Sequence, residues 1–534
     1  VFAAQGFCFI ENMKIKHFRF FFYQINIAQI ALLLACHLGV LLSTGASADG
    51  IDELENVSFE EPIETFSIGK VSFKACRLSD PSASTYRRAQ CAVVELPEDY
   101  QQSDGKKVSI FIARIKTTAK KPKKDPVLLI AGGPGQAASE SFIFPGLGFH
   151  KIGELRDIYL IDQRGTGKSN KLNCDLPEDA ELLDEAQQVV MVKACRDTLL
   201  KHSDLKQYTT SVAVRDFEEI RQLLNIPSWS VYGVSYGTRV AQHYLRRFPN
   251  GVKTLILDGV IAPNHALGTE IALQSQKALD ALVSRCGEDP VCAESFPKLE
   301  NGVKTLVDKL SASPVKVSLA DLRTGEKKTV EFSYINLAMV LRLSLYSPET
   351  MSLLPVVLQA AYKYDNYAPL AKIVNKPSFN LSGLISHGMH NAVVCSEDIA
   401  LLDEATIQRS NKASENTYLG SEMLSYLVKL CEHWPKGVVD NDMHQLLQTD
   451  TPVLLMSGSV DPITPPEYAE VAAQKLSNSL HLVLEGFSHS VARVGCMPTL
   501  MAKFIDEASV ELDTSCLKKQ KPAPIFLDFY GPAP

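Results

Sequence analysis

The segment Gly233-Val234-Ser235-Tyr236-Gly237 constrains this chain most, because it follows the apolar run Trp229 to Tyr232 and precedes a helix-like stretch from Thr238. A serine between two glycines at a strand-to-helix turn reads as a nucleophile elbow. The tight turn admits only small neighbours and pushes the hydroxyl out of the sheet. The pattern alone is weak, so its context decides. An acid and a histidine follow in the order such an architecture requires: Asp461 after strand-like Val453 to Met456, and His489 after strand-like Leu482 to Leu484. Three such residues at three strand ends predict a hydrolase.

The rest of the chain supports the sheet that this reading needs. Short apolar runs alternate with amphipathic segments, as in a mostly parallel sheet crossed by helices: Val127 to Ile130, Asp157 to Ile161, Trp229 to Tyr232, Thr254 to Leu257, Val453 to Met456 and His481 to Leu484. Phe73 to Leu78, Gln90 to Leu96 and Lys107 to Ile115 read as an antiparallel start to the same sheet. Between the strand ending near Asp258 and the one beginning near Pro452 the pattern is mainly helical, as in Ile271 to Cys286, Leu337 to Leu345 and Leu353 to Tyr364, and this block interrupts the alternation between two core strands. The expected organisation is a core over 49–264, a helical cap over 265–447 and a returning core over 448–534. An insertion leaving the carboxyl ends of the strands should sit over Ser235. The 46% hydrophobic content fits a globular chain of 534 residues. A net charge of -7 with dispersed cations gives no basis for nucleic acid as a partner.

The N-terminal region has the pattern of an export signal over 1–48. Lys14, Lys16, His17 and Arg19 precede an apolar stretch from Ile27 to Leu42, and Ala46-Ser47-Ala48 offers an A-x-A cleavage site. Residues 1–12 precede Met13 and are expected to lie upstream of the true start. The alternatives are a membrane anchor and a lipid anchor on Cys36, although the latter would leave apolar Leu38 to Leu42 on the mature protein. No later segment reaches the ~18 uninterrupted apolar residues that span a bilayer. Removal of 1–48 leaves ten of the twelve cysteines, an even number that favours disulfides in an exported protein, and the mature product would be periplasmic or extracellular. Closeness along the chain suggests Cys76 with Cys91, Cys174 with Cys195, Cys286 with Cys292, Cys395 with Cys431 and Cys496 with Cys516. His387 and His390 lack a surrounding ligand pattern and read as ordinary polar residues, so no metal is expected.

A serine hydroxyl becomes a nucleophile when a base takes its proton, and the base needs an acid to fix its tautomer. His489 is the candidate base and Asp461 the candidate acid, in the proline-stiffened turn Gly458 to Pro466. Asp258, at the end of the preceding core strand, is the rival acid. Ala131-Gly132-Gly133-Pro134-Gly135-Gln136 follows another strand and can bring backbone N–H groups to a developing oxyanion. The N–H groups of Gly133 and of Tyr236 are the candidates for that hole. No Gly-Lys-Ser/Thr completes a phosphate-binding loop. Asp162 and Arg164 are expected to pair with each other in a structural turn.

These residues together resemble the α/β-hydrolase serine peptidases of the proline iminopeptidase and tripeptidyl aminopeptidase group. The resemblance rests on Cys91 to Tyr100, the Gly-Gly-Pro-Gly-Gln loop, Asp162 to Gly167, Tyr208-Thr209-Thr210, the serine motif, Val394 to Asp398, Cys431 to Pro435 and Asp461 to Pro465. It is nearest to the secreted tripeptidyl aminopeptidase branch with its characteristic C-terminal region. Ala131 departs from the group, since many iminopeptidases carry histidine there. The resemblance implies an exopeptidase acting on peptides with a free N-terminus, and acidic residues in or near the cap that neutralise the substrate ammonium. Glu397 is the first candidate for that contact and Asp398 the second, and Trp434 is a candidate cleft wall or, equally, a buried packing residue. Read from the residues alone, adjacent carboxylates near a disulfide are more often solvated or hydrogen-bonded locally. Triad chemistry needs no cofactor. Two other readings stay open: a small-ester or amide hydrolase of the same fold, and a noncatalytic binding protein that retained it.

Overall fold

The computed structural model describes residues 65–532 apart from 81–84, 144–147, 175–184, 321–323 and 375–383. The expected export signal lies outside the described residues. In chain order the strands are β1 (Thr65–Ile68), β2 (Val71–Ser79), β3 (Tyr86–Pro97), β4 (Lys107–Ile115), β5 (Val127–Ile130), β6 (Ile158–Ile161), β7 (Trp229–Val234) and β8 (Val252–Asp258). A hairpin of β9 (Val315–Ala320) and β10 (Lys327–Phe332) follows, and then β11 (Val453–Gly458) and β12 (Ser479–Leu484).

Ten of these form one sheet in the order β1-β2-β3-β4-β6-β5-β7-β8-β11-β12. The pairs from β6 to β12 run parallel, while β1 to β4 and the β4–β6 pair run antiparallel. The central strands are mostly apolar because helices cover both faces, and successive side chains point to opposite faces. Leu128, Val231, Leu255 and Leu455 thus join a core with helix residues Val214 and Val240. Leu129, Tyr232, Ile256 and Leu454 join the opposite core with Met497 and Phe504. This is an α/β-hydrolase sheet.

The chain between β8 and β11 holds a third core, built from the helices Ile271–Glu288, Leu299–Ala312, Tyr334–Ser344, Leu354–Tyr364 and Ala368–Val374 and the β9–β10 hairpin. This core does not take in the whole of the 265–447 block. The helix His387–Glu397 packs instead through Met389, Val393 and Cys395 into the sheet core, with Cys431 and the buried Trp434 beside it. The C-terminal segment, placed with the returning core, ends on the cap: Ile525, Phe526 and Leu527 pack there, and Phe526 N–H donates to Ser352 O at 3.0 Å. All five cysteine pairs suggested by chain proximity are bonded.

The Asp162–Arg164 pairing does not occur. Arg164 forms a bidentate pair with Asp216, Nε to Oδ2 at 2.7 Å and a second nitrogen to Oδ1 at 2.6 Å. Asp162 instead accepts from Ser139 N–H, Ser139 Oγ and Lys168 N–H, and burial raises it to about 6 against those bonds. Two turn residues facing different layers found different partners.

Candidate active site

Ser235 occupies the turn between β7 and the helix Tyr236–Arg247, with φ 56° and ψ -126°. A non-glycine residue held at positive φ is strained, and such strain concentrates where it aims a functional group. The flanking glycines have a steric cause. A side-chain carbon on Gly233 would lie 2.3 Å from Gly237 O, and one on Gly237 would lie 2.5 Å from Ile130 O. The elbow therefore closes only around two residues without side chains.

The loop after β5 passes directly against the serine. A side-chain carbon on Gly132 would meet Ser235 Cβ at 3.0 Å, which sets the Gly132-Gly133 backbone beside the hydroxyl. Tyr236 is the first residue of its helix, so its N–H has no intrahelical acceptor. These are the two places where the sequence put the oxyanion donors.

The structure brings Asp461 and His489 together. Asp461 Oδ2 lies 2.7 Å from His489 Nδ1, and Asp461 also accepts from Ile463 N–H and Thr464 N–H at 2.9 Å and from Thr464 Oγ1 at 2.7 Å. The acid is buried in its turn while the ring remains slightly exposed. Burial opposes a charged imidazole, but the charge and hydrogen bond of Asp461, with the charge of Asp258, outweigh it and raise the His489 pKa above its ordinary value. Ser235 N–H donates to Asp258 O at 2.9 Å, and a side-chain carbon on the next residue, Gly259, would lie 3.0 Å from His489 Cε1. Serine and imidazole therefore stand over one peptide. Among the described residues no hydrogen bond joins Ser235 Oγ to the ring, and such contacts commonly tighten only in the substrate complex.

Asp258, the rival acid, is committed elsewhere. Its carboxylate accepts from Tyr232 hydroxyl at 2.7 Å, Ser490 Oγ at 2.8 Å, Val491 N–H at 2.9 Å and Ala492 N–H at 3.0 Å. It fastens the loop that follows His489 to the end of β8. The cap closes the other side, where the Tyr346 ring stands edge-on to His489 with centroids 5.2 Å apart and Ser488 Oγ donates to Leu345 O.

Glu397 and Asp398 end the helix His387–Glu397 and begin the turn after it. Both are wholly buried. Glu397 Oε1 accepts from Thr210 N–H at 2.6 Å and Oε2 from Thr210 Oγ1 at 2.8 Å. Asp398 Oδ1 accepts from Leu267 N–H at 2.8 Å and pairs with Arg239 at 2.9 Å, whereas its Oδ2 has no hydrogen-bond partner among the described residues. Both Glu397 oxygens thus carry donors, whereas one oxygen of Asp398 carries none. Burial, reinforced by the charge of Asp398 and opposed by Arg239 and Thr210, raises Glu397 to about 7. Thr210 Oγ1 also lies 2.6 Å from the hydroxyl of Tyr236, which Gln163 Nε2 approaches at 3.1 Å. Sequence reasoning missed Thr210 and Arg239 as partners, although Thr210 stood in one of the segments that carried the resemblance.

Comparison with known proteins agrees with this geometry. Residues 125–291 match the family described as alpha/beta hydrolase fold, and residues 416–516 match TAP-like protein. The chain is 25% identical over 468 residues to serine protease Hip1 of Mycobacterium tuberculosis, covering 80% of this chain and 86% of that one. It is 26% identical over 474 residues to carboxylesterase B of Mycobacterium tuberculosis, covering 82% and 88%. A shorter stretch of 195 residues is 26% identical to tripeptidyl aminopeptidase of Streptomyces lividans, covering 33% and 36%. The chain has the α/β-hydrolase fold and matches the TAP-like family over residues 416–516, and a serine protease and a tripeptidyl aminopeptidase stand among the proteins it is similar to.

Proposed function

We propose that this protein is an exported serine exopeptidase that cleaves amide bonds near the free N-terminus of peptides. The observation that carries the reading is the elbow serine at φ 56° beside an imidazole whose Nδ1 is held by a buried carboxylate. Ser235 Oγ attacks the carbonyl carbon as His489 takes its proton, and the N–H groups of Gly133 and Tyr236 receive the resulting oxyanion. Collapse breaks the C–N bond, His489 returns the proton to the leaving amine, and water then hydrolyses the acyl-enzyme through the same steps in reverse.

A peptide substrate is favoured by the TAP-like C-terminal region and by the serine protease and aminopeptidase among the relatives. Asp398 is the ammonium acceptor in this reading, through the Oδ2 that no internal donor satisfies, because a buried carboxylate oxygen left unpaired is costly until a donor arrives. Glu397 acts through Thr210 on Tyr236. Five disulfides support export, and no described helix is long and apolar enough to cross a membrane. The relative named carboxylesterase B favours one second reading, a small-ester hydrolase.

A panel of chromogenic amides with proline, single-residue and tripeptide acyl groups, each with free and blocked N-termini, tests the proposal beside short-chain esters. Turnover of free-amine amides at least about tenfold above their blocked counterparts supports it. Turnover of esters alone would replace it with the second reading.

A further inference from the structure

Arg342 is a cap residue that the triad chemistry leaves unexplained. It lies near the end of the helix Tyr334–Ser344, one turn before Tyr346, whose ring stands edge-on to His489. The helix end is fastened over the site by the Ser488 Oγ to Leu345 O bond. The Arg342 guanidinium interacts with the Tyr346 hydroxyl and acts electrostatically on Tyr418 and on His390. His390 in turn has its Nδ1 3.3 Å from Pro134 O in the loop beside Ser235. Arg342 thus acts both on the tyrosine that packs against His489 and on the histidine that touches the loop beside Ser235.

Its charge has no counterpart there. Arg342 is half-buried, its Nε is shut off from water without a hydrogen-bond partner, and no carboxylate pairs with it among the described residues. The acids nearest the site are already engaged, Asp461 with His489 and Asp398 with Arg239. Burial first, with the charges of His387 and Arg342 adding, lowers His390 to about 4 against the pull of the Pro134 carbonyl and Asp398, so His390 is neutral and offers no competing cation. A guanidinium held partly out of water is matched by a planar carboxylate, which it binds in a bidentate manner.

We propose that Arg342 binds a carboxylate on the leaving fragment of the substrate, which makes short peptides with a free C-terminus the preferred substrates. The side of the scissile bond follows from His489, which gives its proton to the departing amine, so groups packed against that ring meet the departing portion. This inference rests on the peptidase reading above and adds the specificity of the leaving side.

The test compares free-amine tetrapeptides ending in a carboxylate with the same peptides ending in a carboxamide, for the full chain and for Arg342→Gln and Arg342→Lys. The expected result is a preference of about tenfold or more in kcat/KM for the free acid. Arg342→Gln should abolish the preference by lowering turnover of the acid while leaving the amide within about twofold, and Arg342→Lys should restore part of it. No preference in the unaltered enzyme, or equal losses on acid and amide, would overturn the proposal and leave Arg342 as a support for Tyr346. If esters are cleaved and peptides are not, the peptidase reading fails by itself. The same comparison is then made on esters with and without a leaving-group carboxylate, where a lost preference in Arg342→Gln still supports the proposal and an absent one overturns it.

Discussion

Asp461 Oδ2 lies 2.7 Å from His489 Nδ1, and three further donors from Ile463 and Thr464 hold that carboxylate in place. The acid therefore fixes the tautomer that leaves Nε2 free to accept a proton. Asp461→Asn should lower kcat by about a thousandfold or more while the fold persists, as followed by steady-state kinetics and circular dichroism.

Asp258→Asn should behave differently. Four donors converge on this buried carboxylate, and an amide nitrogen would oppose one or more of them. A loss of about 1–3 kcal/mol in denaturant unfolding is expected, with a smaller fall in kcat than for Asp461→Asn. The reverse ranking would transfer the acid role to Asp258.

The raised pKa of His489 sets the acid limb of activity. The base must be neutral, so kcat/KM should rise with pH through an apparent pKa above the ordinary value of about 6.5. In Asp461→Asn the residual activity should show that limb displaced downward, because the charge that stabilised the imidazolium is gone. A limb that stays in place would mean another group titrates.

Glu397 binds a proton in the folded state up to about pH 7, whereas the unfolded chain releases it near 4.5. Its contribution to stability therefore falls as pH rises through that window. Melting temperatures measured from pH 5 to 8 should decline less in Glu397→Gln than in the unaltered protein. Free-amine and N-blocked substrates should lose turnover equally in this variant, since Glu397 acts through Thr210 and Tyr236. Asp398→Asn should instead raise KM chiefly for the free-amine peptides.

The bond between Cys395 and Cys431 closes 36 residues of chain and lies two positions before Glu397. Replacing both cysteines by alanine should cost about 4 kcal/mol by loop-closure entropy, read from the denaturation midpoint. Alkylation without prior reduction should label almost none of the ten cysteines beyond residue 48.

The sheet was legible because its signals are local. The runs at Val127–Ile130 and Lys107–Ile115 coincide with β5 and β4, and the serine motif could close only as a turn between Gly233 and Gly237. The β9–β10 hairpin was overlooked inside a block read as helical, although Val315, Val317 and Leu319 alternate with polar residues. Partners brought together by folding left no such signal. Nothing near Arg164 announces Asp216, and nothing near Glu397 announces Thr210. The helix His387–Glu397 carries apolar residues that suit either core, so its place against the sheet depends on packing that chain order does not encode.

Covalent labelling of Ser235 tests the central claim most directly. Intact-mass and peptide analysis after exposure to a serine-directed phosphonate should find one adduct, on Ser235, with activity lost in proportion to labelling. Ser235→Ala should neither label nor turn over substrate, while it melts within a few degrees of the parent protein. Near-normal hydrolysis by Ser235→Ala, or an inactivating adduct on another residue, would contradict the account.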